Sequence, residues 1–313
     1  MPPLPACPAP PVSAVPKELV HKTNPDEVLL TGWHRTAPDA FTVTARWPEG
    51  HPFYEVRHGL HDPLILSETI RQIFPLLSHA AYEVPFGHHL LWEHYRFKLH
   101  PAALDAALLP PTVDLHVTCL EVVRRGRRTT ALTLLIQAFR GGIPLATAHT
   151  RFTIQTPTVY RRLRARYADA HMWPAPQLAL SVPPTRVART HARDVVLSPS
   201  HTPHRHQLRL DPRHPVLFDH PVDHVPGMLL LEAARQAAHH LHHPEPVIPL
   251  AMDCLFHRYL ELHTPCWIDT RQLPPDAQGR PRTTFTFHQN NTPHFTTTLT
   301  HQRLDSASST WSG

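Results

Sequence analysis

Two α+β halves in tandem, each an antiparallel sheet wrapped around a long central helix, are the fold class this sequence predicts. Three observations carry that reading. The motif Glu-x-x-Arg-Gln occurs at Glu68, Arg71 and Gln72 and again at Glu232, Arg235 and Gln236, 164 positions later in a chain of 313 residues. Both copies follow an apolar stretch that reads as helix. Around each copy the same order recurs: two short strands, one helix, then a run of alternating strands. At about 150 residues per domain, the length also favours two domains over one.

In the first half, strands are expected over 28–34 and 41–47, a helix over 62–82, then strands over 89–99, 113–123, 129–139 and 143–154. The last three alternate, are rich in Thr, Val, Ile and Leu, and are joined by Arg/Gly turns, the pattern of an antiparallel meander. The second half repeats this with strands near 194–197 and 206–210, a helix over 226–240, and strands over 251–262, 266–273, 282–288 and 294–300. Helix 226–240 carries Met228, Leu229, Leu230, Leu231, Ala233, Ala234, Ala237 and Ala238, apolar on nearly every side, so it is expected to be buried. Its polar stripe is Glu232, Arg235, Gln236 and His239 on one face. Helix 62–82 matches it, with Leu64, Ile65, Leu66, Ile70, Ile73 and Phe74 around Glu68, Arg71 and Gln72. A sheet wrapped around one swallowed helix is the hot-dog fold, here in two copies. The expected division is a disordered Pro-rich segment 1–18, hot-dog domains 19–160 and 191–302, an ordered or partly ordered linker 161–190, and a disordered tail 303–313.

Composition narrows the function. A hydrophobic content of 41% supports ordinary cores, and a net charge of +5 suits an anionic ligand or an acidic partner without demanding nucleic acid. The four cysteines stand far apart with no Cys-x-x-Cys pair, which argues against a disulfide scaffold or structural zinc and for a reducing cytosol. The N-terminus lacks a basic region followed by an apolar run, so no signal peptide is read. No apolar run reaches the length of a membrane span. The 29 histidines are scattered through strands, loops and helices, which looks like compositional drift and not one metal site. The run His239, His240, His242 and His243 invites a metal reading, but a polar helix end is the simpler account, and no metal is expected.

The run 219–236, Asp-His-Pro-Val-Asp-His-Val-Pro-Gly-Met-Leu-Leu-Leu-Glu-Ala-Ala-Arg-Gln, resembles the second-half signature of the A-factor biosynthesis family of streptomycetes and relatives. Ordered first-half motifs agree: Val20-His-Lys, Glu27-Val-Leu-Leu-Thr-Gly-Trp, Trp47-Pro, His58-Gly-Leu-His-Asp-Pro, Glu68-Thr-Ile-Arg-Gln and Val84-Pro-Phe-Gly-His. The resemblance covers most of residues 20 to 300. It implies a tandem hot-dog enzyme, without cofactor, that makes precursors of γ-butyrolactone, butenolide or furan signals. The implied activity is transfer of a β-ketoacyl group from acyl carrier protein to a hydroxyl of dihydroxyacetone phosphate. The stretch 226–233 is also similar to hot-dog β-hydroxyacyl dehydratases, whose helix Glu is catalytic. Their loop His does not carry over cleanly, because Phe218 stands 14 residues before Glu232 while the loop histidines here are His220 and His224.

Ester formation needs a base for the hydroxyl, donors for the oxyanion and cations for the phosphate. Glu232 is expected to be the base or to hold the hydroxyl, with Arg235 positioning it or binding phosphate. Backbone amides at Gly227 and Met228, opening the helix, are the expected oxyanion donors. Glu68 and Arg71 would do equivalent work in the other half or survive as structure. The plainer alternative for each pair is a buried ion pair that fixes register. His220, His224 and Asp219, with Asp223 beside them, are weaker candidates for acid/base or substrate-positioning roles; His58, His61 and Asp62 hold the similar place in the first half. Two Arg clusters, 124–128 and 161–166, are candidate docking patches for an acidic carrier protein, against the simpler reading of solvated surface. A pseudo-dimeric monomer or a homodimer is expected. A hot-dog thioesterase or dehydratase and a non-catalytic acyl-ligand-binding regulator remain the alternatives.

Overall fold

Each half opens with short strands, β1 (Leu30–Ala37) and β2 (Ala40–Arg46) in the first, β7 (Leu197–Ser198) and β8 (Arg205–Leu208) in the second. A long helix follows, α1 (Pro63–Ala80) or α3 (Gly227–His242). Four long strands complete the first half: β3 (His89–Leu99), β4 (Thr112–Arg125), β5 (Arg128–Arg140) and β6 (Ile143–Gln155). The second has β9 (Val247–Phe256), β10 (Trp267–Leu273), β11 (Arg282–Gln289) and β12 (Thr292–Arg303). The structure, a computed structural model, describes residues 15–107, 109–168 and 177–304.

All these strands form one antiparallel sheet in the order β1-β2-β4-β5-β6-β3-β9-β12-β11-β10-β8-β7. Read outward from the centre, both halves have the same strand order, so the repeat found in the sequence is a repeat of topology. The halves join edge to edge, β3 pairing with β9 from His94 opposite Leu255 to Lys98 opposite Ala251. Closing the two central edges on each other removes the unpaired N–H and C=O groups each half would otherwise expose.

The helices are buried as their composition requires. On α1, Leu64, Ile65, Leu66, Ile70, Ile73, Leu76 and Leu77 have no exposed surface. Each contributes about 1.5–3 kcal/mol by leaving water, enough to offset the desolvation of a paired ionic stripe on the same helix. Its buried polar groups are partnered: Trp47 Nε1 donates to Thr69 Oγ1 at 3.0 Å, and Tyr95 Oη to Ser67 Oγ at 3.0 Å. The helix starts differ. Asp62 caps α1 by accepting from the Leu64 N–H at 2.9 Å, while α3 starts after Pro226, whose side chain has nothing to accept with.

Several boundaries differ from expectation. Strand β9 begins four residues before the expected 251 and stops at Phe256, short of 262; its early start is possible because Pro249 is tolerated opposite His301, where the register shifts and pairing with β3 has not begun. Strand β12 likewise runs through Pro293 next to a register shift. Helix α2 (Pro157–Arg164), whose N-cap Thr156 accepts from the Val159 N–H at 3.2 Å, straddles the expected boundary at 160/161 and runs into the expected linker. Arg164, placed in that linker, is buried between Asp223 and Glu261. Val15 is buried and residues Lys17–Val20 form a 3-10 turn, where disorder through 18 was expected. The remainder of that segment and the tail beyond 304 lie outside the described residues. Among the described residues, no helix is long and apolar enough to cross a membrane.

Candidate active site

The motif that repeats in sequence builds the same charge cluster twice. In the first half Arg71 forks onto Glu68, Nε to Oε2 at 2.9 Å and Nη2 to Oε1 at 2.8 Å. Gln72 Nε2 donates to Oε1 at 3.0 Å, and Lys22 Nζ lies 3.1 Å from the same oxygen. In the second half Arg235 forks onto Glu232 at 2.8 Å twice, Gln236 donates at 2.5 Å, and Arg189 Nε donates at 2.9 Å. Gln72 also clips the chain at Glu27 and Leu29, and Gln236 does so at Asp194 and Val196. His51 faces Glu27 and accepts from two backbone N–H groups; His214 faces Asp194 and does the same. Six positions thus correspond pairwise: Lys22 with Arg189, Glu27 with Asp194, His51 with His214, and the three motif residues.

The copies differ in access. Glu68, Arg71 and Lys22 line a cleft of about 1210 Å³, whereas neither Glu232, Arg235 nor Arg189 borders it. Arg71 keeps 23% of its side-chain surface exposed and Arg235 only 5%. Arg189 seals the second cluster: it donates to the Phe53 carbonyl, its guanidinium stands 4.0 Å over the Phe53 ring, and Nη2 lies 3.7 Å from Asp62. Glu232 and Arg235, expected to lead the chemistry, therefore sit walled off, and the open pair is Glu68 with Arg71.

Electrostatics follow from this packing. Burial alone would raise the Glu68 carboxyl, but Arg71 and Lys22 outweigh it and hold the group well below the carboxylate range. Burial opposes ionisation of Glu232 too, and Arg189 and Arg235 bring it down to about 2. Both glutamates are ionised with their oxygens taken, which makes each an anchor for cations and a poor acceptor of a proton.

The loop before α3 borders the same cleft. Asp219 accepts the Thr23 and Asn24 N–H groups at 2.6 and 3.1 Å, so the second half's loop fastens the segment carrying Lys22. His220 stands 3.7 Å from Asp219, and burial followed by Arg71 lowers its pKa against the opposing pull of Asp219. His224 Nδ1 bonds Asp223 at 2.6 Å, and Asp223 is held also by Tyr160 and Arg164, so that pair ties the loop to α2. Gly227 and Met228 line the cleft at the uncapped start of α3, and no described residue accepts from their N–H groups. A Cβ on Gly227 would lie 3.0 Å from Trp92, so glycine is what lets the helix start approach the aromatic wall. That wall includes Phe74, Trp92 and Phe256, with Trp92 stacked on Phe256 at 4.9 Å. His61 lies apart, against Arg140 at 3.1 Å, and His58 does not border the cleft. In the His run at the end of α3, His240 meets His206 and His242 packs on His301.

Comparison with known proteins decides the family. The A-factor biosynthesis hotdog domain matches residues 6–156 and 172–305. The chain belongs to this family. Curated members named 2-oxo-3-(phosphooxy)propyl 3-oxoalkanoate synthase are similar along most of their length. The Streptomyces virginiae protein is 44% identical over 90% of this chain and 96% of its own. The Streptomyces coelicolor protein is 40% identical over 91% and 90%. Among solved structures, an oleoyl thioesterase from Lactobacillus plantarum aligns with TM-score 0.51 and 12% identity, covering 85% of this chain and 97% of that one. The 12:0-ACP thioesterase from Umbellularia californica aligns with TM-score 0.50 and 9% identity, covering 85% and 98%. At these identities the structures show the shared hot-dog fold alone.

In this family member, sequence reasoning found the helix motifs and missed the cations from outside them. Lys22 sits in Val20-His-Lys and Arg189 in Val187-Ala-Arg, the same apolar-x-cation pattern. Their spacing is 167 positions, not 164, so a fixed offset does not pair them.

Proposed function

We propose that this enzyme condenses a 3-oxoalkanoyl thioester with a hydroxyl of dihydroxyacetone phosphate. The product is the 2-oxo-3-(phosphooxy)propyl 3-oxoalkanoate from which butyrolactone-type signals derive. The hydroxyl oxygen forms a bond to the thioester carbonyl carbon, the C–S bond breaks, and the hydroxyl proton ends on the departing thiol.

The observation that carries the reading is one cleft with three chemically distinct parts. Lys22 and Arg71 form a cationic end suited to a phosphate, and Arg71 Nη1 makes no hydrogen bond to a described residue. Glu68 fixes both cations from behind. Phe74, Trp92, Met228, Leu230 and Phe256 form an apolar wall for an acyl chain. At the start of α3, lining the same cleft against Trp92, the N–H groups of Gly227 and Met228, unaccepted by any described residue, can receive the thioester oxygen as it becomes an oxyanion. Asp219 and His220 position the acceptor end, and Asp223 with His224 holds the loop. Glu232, Arg235 and Arg189 are a structural copy of the cation cluster. The relatives' printed name supplies the same ester and supports this assignment.

The thioester carrier is an acyl carrier protein, and Arg161, on the cleft rim, is the better docking candidate; none of Arg124, Arg125, Arg127 and Arg128 borders the cleft. The reaction belongs to the cytoplasm, where both substrates arise.

The test is incubation with 3-oxoacyl carrier protein with and without dihydroxyacetone phosphate, followed by mass spectrometry. Acceptor-dependent loss of the acyl group with a new phosphorylated ester is expected. Hydrolysis that ignores the acceptor, or saturable binding without turnover, would overturn the reading.

A further inference from the structure

We propose that His21 is the base that takes the proton from the acceptor hydroxyl, with its reactive tautomer set by a histidine relay through His79 to the Val84 carbonyl. The inference rests on the acyl-transfer reading above and identifies a group which that reading leaves open.

The relay has one consistent proton arrangement when both rings are neutral. A carbonyl oxygen only accepts, so His79 Nδ1, 2.6 Å from Val84 O, carries a proton and donates it. His79 Nε2 then holds a lone pair. His21 Nε2 lies 2.8 Å away and must donate to it. His21 is left with an unprotonated Nδ1, on a ring that borders the cleft beside Lys22, and this nitrogen has no hydrogen-bond partner among the described residues. Second-ring partners that fix a reacting imidazole in this way are what general-base catalysis requires.

Competing groups near Lys22 and Arg71 are already committed. Both oxygens of Glu68 accept from cations, Asp219 is spent on two backbone N–H groups, and His220 turns its Nδ1 toward Asp219 at 3.7 Å. The duplicated fold supplies a control. His21 adopts the left-handed conformation with φ 53°, and its counterpart Ala188 adopts it with φ 52°. The turn is therefore a property of the fold in both halves, while the imidazole stands only where the cleft is open.

The groups facing His21 are His79 and Arg71 from α1, His220 from the loop before α3, and His89 from β3. Burial, then His79 and Arg71, keep the ring neutral, with its pKa lowered to about 3 in the free protein. A phosphate dianion on Arg71 offsets part of that cationic field, so the base strengthens as the acceptor arrives. The acceptor O–H proton passes to Nδ1 while the C–O bond forms. As the C–S bond breaks, the imidazolium returns it to the thiolate sulfur.

His21→Asn is the direct test, since Asn tolerates the left-handed turn better than most residues. We expect kcat for ester formation to fall by about 10²–10⁴-fold, with KM for dihydroxyacetone phosphate changed less than about threefold and the melting temperature retained. Imidazole added to His21→Gly should restore part of the rate. His79→Phe, which removes a positioning residue, should lower kcat less and shift the pH–rate profile. Nitrogen-15 NMR of the unmodified protein should show His21 protonated on Nε2. His21→Asn retaining the unmodified rate, or His21 protonated on Nδ1 in the free protein, would overturn the inference and leave acyl transfer standing. An unmodified protein that forms no ester removes both.

Discussion

Two guanidinium–carboxylate pairs with the same spacing face opposite fates, and the difference is measurable at single residues. Arg71→Ala leaves Glu68 still bonded to Lys22 and Gln72, so the fold should survive while KM for the phosphorylated acceptor rises about tenfold or more. Steady-state kinetics with varied acceptor checks it; an unchanged KM would remove Arg71 from the phosphate end. Glu232→Gln instead strands two guanidiniums, those of Arg189 and Arg235, away from water. Loss of about 3–5 kcal/mol in denaturant unfolding is expected. The carboxylate's depressed pKa has a defined sign. Glu232 contributes full stability above its ordinary 4.5, and that contribution is lost as pH falls toward about 2. Among the described residues, Glu68 and Arg71 were legible from sequence because they occupy one turn of a helix. Lys22 and Arg189 reach their carboxylates only through folding.

At the level of elements, the start of α3 carries the strongest constraint. Ala is a better helix former than Gly by up to about 1 kcal/mol, so propensity alone favours Gly227→Ala. Packing opposes it: Trp92 would lie 3.0 Å from the new Cβ, and that ring is pinned by Phe256 and by its Nε1 bond to Thr150 at 2.8 Å. The clash should win, lowering the melting temperature by a few degrees, roughly 1 kcal/mol, and slowing ester formation. A more stable variant of unchanged activity would show that the wall yields. The strands were legible where they alternate, as in β4, β5 and β6. Their ends were not where Pro249 and Pro293 lie inside strands, since a proline argues against a strand until a register shift provides for it.

For the whole molecule, two consequences follow from one continuous sheet and many enclosed imidazoles. His61, His206 and His301 are brought down to about 4, burial being the first cause in each, and His21 lower still. Between about pH 6.5 and 4 the unfolded chain binds protons that the folded one refuses, so stability falls as pH drops through that window. Urea unfolding at pH 7 and pH 5 should show the decrease; equal midpoints would contradict it. The central β3–β9 pairing also implies that neither half is self-sufficient. Residues 15–160 expressed alone should aggregate or pair through the freed β3 edge, as read by analytical ultracentrifugation. A stable monomer of that half would refute the dependence.

Sequence alone determined the duplication, the two swallowed helices and their charged stripes. These rest on periodicities of a few residues and on a motif confined to one helical turn. Only the tertiary structure decided which copy opens to a cleft. That outcome depends on covering segments far apart in the chain: Asp219 fastening Thr23 across 196 positions on the open side, and Arg189 closing over Phe53 on the other. Such contacts follow no local spacing rule, because they are set by how two halves meet along one sheet.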